Sequence, residues 1–259
     1  MQRPRVYHLT LILFIILTTA VAHAQQGPQA VFDEANNLLA QGQINQAISQ
    51  YQQLENQQKL AGALFLNLGI AYQRIDSLGK AKYYYLKSAK FPETREQAQE
   101  ALKYVNTQFS HQSAVLPQLP WDRATRWLQD NIGETRLLAI GLILFNLGIL
   151  LFIATWFFRE LPGLIKPLSF SVLGLTVIII AAAFYTRYVN NRYSTAVMVT
   201  QEAVVAERPL EEAALVSRAF EGYTFTVDHK RSKTQPKWSY VRMSNGLYGW
   251  IPSKEILVL

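Results

Sequence analysis

Four aromatic side chains near the end of the chain are the residues best suited to binding chemistry. Trp238 and Tyr240 alternate in the run WSYVRM, and Tyr248 and Trp250 alternate in the next run, LYGWIP. Alternating residues of a strand share one face, and aromatic rings combine a large apolar area with a polar handle. The pattern predicts a groove that binds a partner peptide or a glycan. The alternative, that individual rings serve mainly core and turn packing, stays open.

Residue sets for catalysis or metal binding are not evident in the sequence. The chain has no cysteine and four histidines, of which only His111 and His229 follow the first 24 residues. These two have no partners at ligand spacing, and neither a phosphate-binding glycine loop nor a G-x-S-x-G sequence occurs. We therefore expect a scaffold and not an enzyme, with no cofactor and no metal. A hydrolase ranks third among the candidate functions.

The charge balance gives little indication of nucleic-acid binding. The chain has 25 Lys and Arg against 18 Asp and Glu, a formal net charge of +7. Between Arg192 and Leu259, 9 basic residues are interspersed with 7 acidic ones, whereas nucleic-acid binding needs clustered basic residues. We expect no nucleic-acid partner.

The first residues have the three parts of a secretory signal. Arg3 and Arg5 precede an apolar run over 9–21, and Ala22-His23-Ala24 forms a small-residue cleavage site. We expect residues 1–24 to be a signal peptide, with an uncleaved anchor as the alternative. Either one exports the residues that follow.

A repeat of 34 residues relates segments 31–54 and 65–88. The alignment has no gap and pairs Ala35 with Gly69, Leu38 with Tyr72, Gly42 with Asp76, Ala47 with Ala81, and Tyr51 with Tyr85. This pattern resembles the tetratricopeptide repeat, an all-α family of stacked helical hairpins. A further amphipathic stretch, ETREQAQEALKYVNTQF, predicts a capping helix. We therefore expect residues 25–110 to form a tetratricopeptide-repeat domain with a cap.

The resemblance to tetratricopeptide repeats also implies a partner-binding groove. In some members, asparagines at the positions of Asn36 and Asn67 clamp a C-terminal carboxylate. The partner lysine of that clamp is replaced here by Phe32, so we favour a more apolar groove that Leu66 and Ile70 line as well. The five residues together are the predicted site of the array.

Two long apolar runs predict a transmembrane helical hairpin. Residues 137–158 are 22 uncharged residues, and residues 168–185 are another 18, both long enough to span the hydrocarbon core. We expect transmembrane helices at 137–158 and 168–186. Before them, residues 111–136 predict a linker and an interfacial helix with Trp121 and Trp127, because tryptophan favours the lipid–water interface.

Exported N-terminal residues and two spans place both soluble domains on the same side of the bilayer. We expect a bacterial inner-membrane protein with both domains in the periplasm and a cytoplasmic loop at 159–167. The basic residues flanking the spans do not confirm this orientation. Asn146, in the first span, is expected to hydrogen-bond the neighbouring helix through Ser169, Ser171 or Thr176.

The last residues predict a small all-β domain over 187–259. We expect five short strands, in AVVAERP, GYTFTVDH, WSYVRM, LYGWIP and ILVL, with a connecting segment after the first. Asn245-Gly246 predicts a hairpin turn in which both residues have positive φ. The motifs W-x-x-V-R and G-W-I-P resemble the bacterial SH3-like domain, and five strands of this length bury a core by curling into a barrel.

The order of the parts is similar to that of the BatE-type family of the Bacteroides aerotolerance operon. The resemblance covers the chain after the signal peptide. It implies an inner-membrane scaffold or adaptor working beside von Willebrand A-type membrane proteins in an aerotolerance or envelope-stress complex. The alternative function is a peptidoglycan-binding sensor or tether of the cell wall.

Overall fold

The computed structural model describes residues 27–117, 120–158 and 163–259. The signal peptide predicted at 1–24 lies outside the described residues, and so do residues 159–162 of the predicted cytoplasmic loop. The expected mixture of helices, two apolar helices long enough to span a membrane and an antiparallel β-sheet is confirmed.

Five helices form the helical array at the start of the described chain: α1 (Pro28–Ala40), α2 (Ile44–Asn56), α3 (Gly62–Arg74), α4 (Leu78–Ser88) and α5 (Arg95–Gln108). Helices α1 and α2 pack as one hairpin, α3 and α4 as a second, and α5 packs on α4. Small residues lie where the paired helices touch. Ala47 and Ala81 are fully buried, and a Cβ at Gly69 would collide with the ring of Tyr85.

The 34-residue period is visible in the backbone of the two hairpin turns. Gly42 connects α1 to α2 with φ of +79°, and Asp76 connects α3 to α4 with φ of +58°. Glycine adopts this left-handed conformation without strain, and aspartate tolerates it better than most residues. The two residues are paired in the sequence repeat, so each hairpin reverses direction at the same repeat position.

Two long helices, α7 (Gly133–Phe157) and α8 (Ile165–Arg192), pack against each other along their length. They are long and apolar enough to cross a membrane, and only 17% of the apolar window of each is buried. A core helix of a soluble protein would be mostly buried, so the exposure fits a protein with two spans. A shorter helix, α6 (Pro120–Asn131), precedes them.

Small residues form the seam between α7 and α8. Gly141 and Gly148 of α7 face Ile180 and Leu173 of α8, and Cβ atoms on these glycines would lie within 2.8 Å of those side chains. Small residues let membrane helices approach closely. Asn146 lies outside this seam.

The hydrogen bond expected from Asn146 to α8 is wrong. Its side chain is exposed, and Nδ2 donates to the Leu142 carbonyl of its own helix at 2.8 Å. The three expected partners also donate to carbonyls of their own helix: Ser169, Ser171 and Thr176. A carbonyl about one turn back thus satisfies each polar group within its own helix.

The β-domain follows α8 without a linker. Its elements are β1 (Tyr193–Met198), β2 (Glu202–Ala206), β3 (Leu215–Phe220), β4 (Thr224–Asp228), the short helix α9 (His229–Ser232), β5 (Trp238–Met243), β6 (Tyr248–Pro252), a 3-10 turn (Ser253–Glu255) and β7 (Ile256–Val258). The strands form one antiparallel sheet in the order β3-β2-β6-β5-β4-β1-β7.

The expectation of five strands is wrong, because the described chain has seven. Strand β3 occupies the segment expected to be a connection. Strand β1 begins where α8 ends, at Tyr193, so the sheet starts later than the predicted domain boundary at 187. The turn between β5 and β6 also differs: only Gly246 has positive φ, and Met243 pairs with Leu247 across a three-residue loop.

The helical array and the β-domain pack directly against each other. Val197 of β1 belongs to the hydrophobic core of the array, whereas its neighbours Ala196 and Met198 belong to the core of the sheet. The second half of β1, residues 196–198, is therefore buried on both faces. Leu257 and Leu259 also pack on the array core, so the array covers the sheet beside β7, whose outer edge pairs with no other strand of the described residues.

Candidate binding surfaces

The aromatic residues predicted near the end of the chain share the outward face of β5 and β6, named here the aromatic face: Trp238, Tyr240, Tyr248 and Trp250. The strand register sets Tyr240 opposite Trp250 and Trp238 opposite Pro252. The rings of Tyr240 and Trp250 are 5.2 Å apart at their centroids, and those of Tyr240 and Tyr248 are 6.2 Å apart. Trp238 lies on the same face, two residues before Tyr240.

Two arginines that the sequence reasoning did not assign to the site complete the aromatic face. The Arg231 guanidinium lies 4.5 Å from the ring centroid of Tyr240, and that of Arg242 lies 5.6 Å from Tyr248. Arg242 alternates with Tyr240 in β5, so the period of two could have indicated it. Arg231 comes from α9 and is brought there only by tertiary folding. The face thus joins aromatic rings to cations, which suits a ligand with both apolar and anionic groups.

The five residues predicted to line the groove of the array are placed on α1 and α3, and all are partly buried. Asn67 Nδ2 donates to Asn36 Oδ1 at 2.7 Å, and the Tyr51 hydroxyl donates to the same oxygen at 2.7 Å. Burial raises the pKa of Tyr51 to about 12, so its hydroxyl stays protonated and keeps this bond. The two asparagines therefore hold each other, a use different from clamping a carboxylate.

The apolar part of the predicted groove is Phe32, Leu66 and Ile70. All three pack at the margin of the array core, and the ring of Phe32 lies 5.9 Å from that of Tyr51. Leu66 and Ile70 are one helical turn apart on α3, so they share a face. This arrangement offers an apolar strip beside the asparagine pair, of the kind that an amphipathic segment uses.

The contact between array and β-domain, named here the docking interface, was not predicted from the sequence. One face of α4 supplies three hydrogen bonds to the β-domain: Gly79 N to Glu221 Oε1 at 2.6 Å, Lys82 Nζ to the Gly222 carbonyl at 2.7 Å, and the Tyr83 hydroxyl to the Val258 carbonyl at 3.3 Å. The residues on each side are about 140 or more positions apart, beyond the reach of any local pattern.

Two further features fasten the docking interface. The Lys82 ammonium lies 5.3 Å from the ring centroid of Phe109, while burial disfavours its charge and lowers its pKa to about 8. After α5, the chain continues along the β-domain: His111 stacks on Phe220 with centroids 3.9 Å apart, and Leu116 N donates to the Ser244 carbonyl at 3.0 Å. His111, which has no partner at metal-ligand spacing in the sequence, thus packs against the sheet.

Within residues 27–117, 120–158 and 163–259, no group of three or more histidine and carboxylate side chains is arranged to hold a metal ion. The other remaining histidine, His229, lies 2.8 Å from the Ser194 hydroxyl through Nε2. Comparison with protein-family models gives no match, and comparison with curated proteins gives none. The case for a function therefore depends on the geometry of the surfaces above.

Proposed function

We propose that the protein is a membrane-anchored adaptor that presents two binding surfaces to partner proteins. The observation that carries this proposal is the docking interface. Its contacts from Gly79, Lys82 and Tyr83 attach the array to the β-domain, so the groove and the aromatic face have a fixed relation to each other. Two binding surfaces in a fixed relation suit a protein that holds partners side by side.

The docking interface also supports the proposed topology. Two domains that touch must lie on the same side of a bilayer, and a hairpin of two spans between them returns the chain to that side. Together with the predicted export signal, this favours both domains in the periplasm of a bacterial inner-membrane protein. The tetratricopeptide and SH3-like identities of the two domains are part of the same proposal.

The two surfaces remain accessible after docking. The interface uses α4, the segment after α5 and the β1, β7 and β3–β4 side of the sheet. The groove belongs to α1 and α3, and the aromatic face belongs to β5 and β6, where Tyr248 is 52% exposed. By the resemblance given above, von Willebrand A-type membrane proteins of an aerotolerance or envelope-stress complex are the proposed partners.

The test is crosslinking and co-purification from native membranes in a mild detergent. The wild-type chain should retain a stoichiometric protein partner. Tyr248→Ala with Trp250→Ala should reduce capture by about tenfold or more, because buried aromatic anchors dominate interface energy. Leu66→Ala with Ile70→Ala tests the groove in the same way.

A matched control removes the same kind of surface elsewhere on the sheet. Val204 and Leu215 are exposed apolar residues of β2 and β3, at 48% and 57%. Their double alanine variant should retain the partner. If the wild-type chain purifies without any partner, or if all three double variants behave alike, the adaptor proposal is wrong.

The aromatic face also favours a second candidate, a tether or sensor that binds peptidoglycan. Rings flanked by Arg231 and Arg242 could stack on sugars while the cations pair with carboxylates of the stem peptides. The full-length chain in detergent should then sediment with isolated sacculi. Retention that is unchanged by Tyr248→Ala with Trp250→Ala would contradict specific glycan recognition.

A further inference from the structure

A basic cleft lies where α8 leaves its apolar stretch and meets α9. It has a volume of about 360 Å³ and opens to solvent. We name it the exit cleft, and its lining residues are Tyr188, Asn191, Arg192, His229, Lys230 and Lys233. None of them belongs to the groove, the aromatic face or the docking interface.

The position of the exit cleft along α8 sets its depth in a bilayer. The apolar run ends at Tyr185, and α8 continues to Arg192. Seven further residues at 1.5 Å each extend the helix by about 10 Å, while the headgroup layer on one side of a bilayer is roughly 5–8 Å thick. With α8 across the membrane, Tyr188 therefore lies about 5 Å beyond the apolar run, within the headgroup layer, and Arg192 lies about 10 Å beyond it, at the outer margin of that layer.

The cleft cannot move away from that level, because α9 is fixed to the end of α8. Arg192 Nη2 donates to Asp228 Oδ2 at 2.9 Å, and Asp228 Oδ1 accepts from the backbone amides of Lys230 and Arg231. Strand β1 starts at the next residue, Tyr193, so no linker separates the helix from the sheet.

These bonds engage the carboxylate of Asp228, the acid beside the cleft. Burial alone raises the pKa of Asp228, but the hydrogen bonds from Arg192 and from two backbone amides outweigh it and hold the pKa below its usual value. The carboxylate thus neutralises Arg192. Lys230 and Lys233 are exposed, and in the part of the chain that the structure describes neither has an ion-pair partner. Among the described residues, the exit cleft therefore carries two lysines that no carboxylate neutralises.

Aromatic residues flank the same level on α8. Tyr185 and Tyr188 are 53% and 51% exposed and lie three residues apart, close to one face of the helix. Tyrosine at the boundary of an apolar helix is typical of the membrane interface, where its ring contacts acyl chains and its hydroxyl reaches polar headgroups. The ring side of the cleft suits a lipid, and the lysine side suits a phosphate.

We propose that the exit cleft binds the headgroup of an anionic phospholipid. Lys230 and Lys233 pair with the phosphate, and Tyr188 and Asn191 contact the glycerol region. The proposal rests on membrane insertion of α8 and is independent of which proteins the adaptor holds. Lipid binding would also explain why basic residues follow the second span on its periplasmic side, where the positive-inside rule does not require them.

The test measures lipid retention by the full-length chain. The protein is purified in a non-ionic detergent, mixed with phosphatidylglycerol or phosphatidylcholine, and analysed by native mass spectrometry. The wild type should retain phosphatidylglycerol in preference. Each lysine near an anionic surface contributes a factor of about five in affinity, so Lys230→Gln with Lys233→Gln should lower the preference by roughly 25-fold.

Two control variants separate charge from folding. Lys59→Gln with Lys103→Gln removes two exposed lysines of the array and should leave the preference intact. Lys230→Arg with Lys233→Arg keeps the charge and should therefore retain the preference for phosphatidylglycerol. Partner capture by the glutamine variant should be unchanged, which distinguishes failure of this proposal from failure of the adaptor function.

Three outcomes would overturn the proposal. The wild type could retain both lipids equally, or the glutamine variant could keep the wild-type preference. Either result would mean that the cleft does not distinguish lipids by the charge of their headgroups. Displacement of bound phosphatidylglycerol by inorganic phosphate would show a site for a soluble anion instead of a lipid.

Discussion

The contact between the array and the β-domain determines whether Gly79→Ala stabilises or destabilises the protein. Gly79 lies in the first turn of α4, where alanine is favoured over glycine by up to about 1 kcal/mol. If α4 were free on that side, Gly79→Ala would stabilise the protein. In the structure, however, the glycine backbone lies against the β-domain.

The magnitude follows from the space around Gly79. An added Cβ would lie 2.9 Å from both Val199 Cα and Glu221 Cγ, and closer still to the Met198 carbonyl oxygen. Backbone atoms cannot yield as a flexible side chain can, so the interface must open by about 1 Å to restore ordinary contact. Opening on that scale lengthens the Gly79–Glu221 and Lys82–Gly222 hydrogen bonds beyond bonding distance.

Each of the two bonds involves a charged group, and such bonds contribute about 1.5–3 kcal/mol. Their loss exceeds the gain in helix propensity, so Gly79→Ala should weaken docking by about 2 kcal/mol or more. Hydrogen exchange followed by mass spectrometry on the detergent-solubilised chain measures this directly. Peptides that cover α4, β1 and the β3–β4 turn should exchange faster in the variant.

The control is Gly174→Ala in α8, where an added Cβ meets nothing within 4 Å. It should leave exchange in α4 and β1 unchanged. A higher melting midpoint of Gly79→Ala, with wild-type exchange in these elements, would refute the docking interface, because only a free α4 gains from the alanine.

Three further predictions concern Lys82, the packing of the array and the membrane topology. Burial lowers the pKa of Lys82 from 10.5 to about 8, so the docked state binds fewer protons than the undocked state between these values. Docking should therefore strengthen as the pH rises through that window, by up to about 3 kcal/mol, and Lys82→Met should remove this rise from the melting midpoint. Ala81 is fully buried between helices, so Ala81→Leu should cost about 1–3 kcal/mol by overpacking, and an unchanged melting midpoint would contradict the hairpin register. For the topology, cysteines introduced at Ser49 and Lys254 should react with an impermeant thiol reagent in intact cells, while a cysteine at Gly163 should be shielded. The native chain has no cysteine, so only the introduced ones can react. The reverse labelling would invert the proposed orientation.

The elements that could be predicted from the sequence are those with a local period. The 34-residue repeat pairs Ala47 with Ala81 and Tyr51 with Tyr85, and all four are buried in the structure. The alternation in β5 and β6 likewise predicted which aromatic rings share a face. In both cases the environment of a residue depends on neighbours a few positions away.

Strands β1 and β3 could not be predicted, for two different reasons. Strand β1 follows an apolar helix without a break, and Val197 is buried on the face opposite Ala196 and Met198 because the array covers it, so no alternation is visible. Strand β3 is an edge strand with exposed Leu215 and Arg218, so its pattern is that of a loop. The docking interface joins residues far apart in the chain, and Arg231 reaches the aromatic face only through tertiary folding.

Strand β1 links the surfaces of the protein to its long apolar helices. At its start, Arg192 and Asp228 hold the sheet to the end of α8, and in its middle, Val197 enters the core of the array. A β-domain joined to α8 by a flexible linker would rotate freely and would carry the array with it. Because no linker separates α8 from β1 and contacts hold both sides of the junction, the orientation of α8 determines where the groove and the aromatic face point. Inserting flexible residues between Arg192 and Tyr193 would therefore remove that control and leave both surfaces folded.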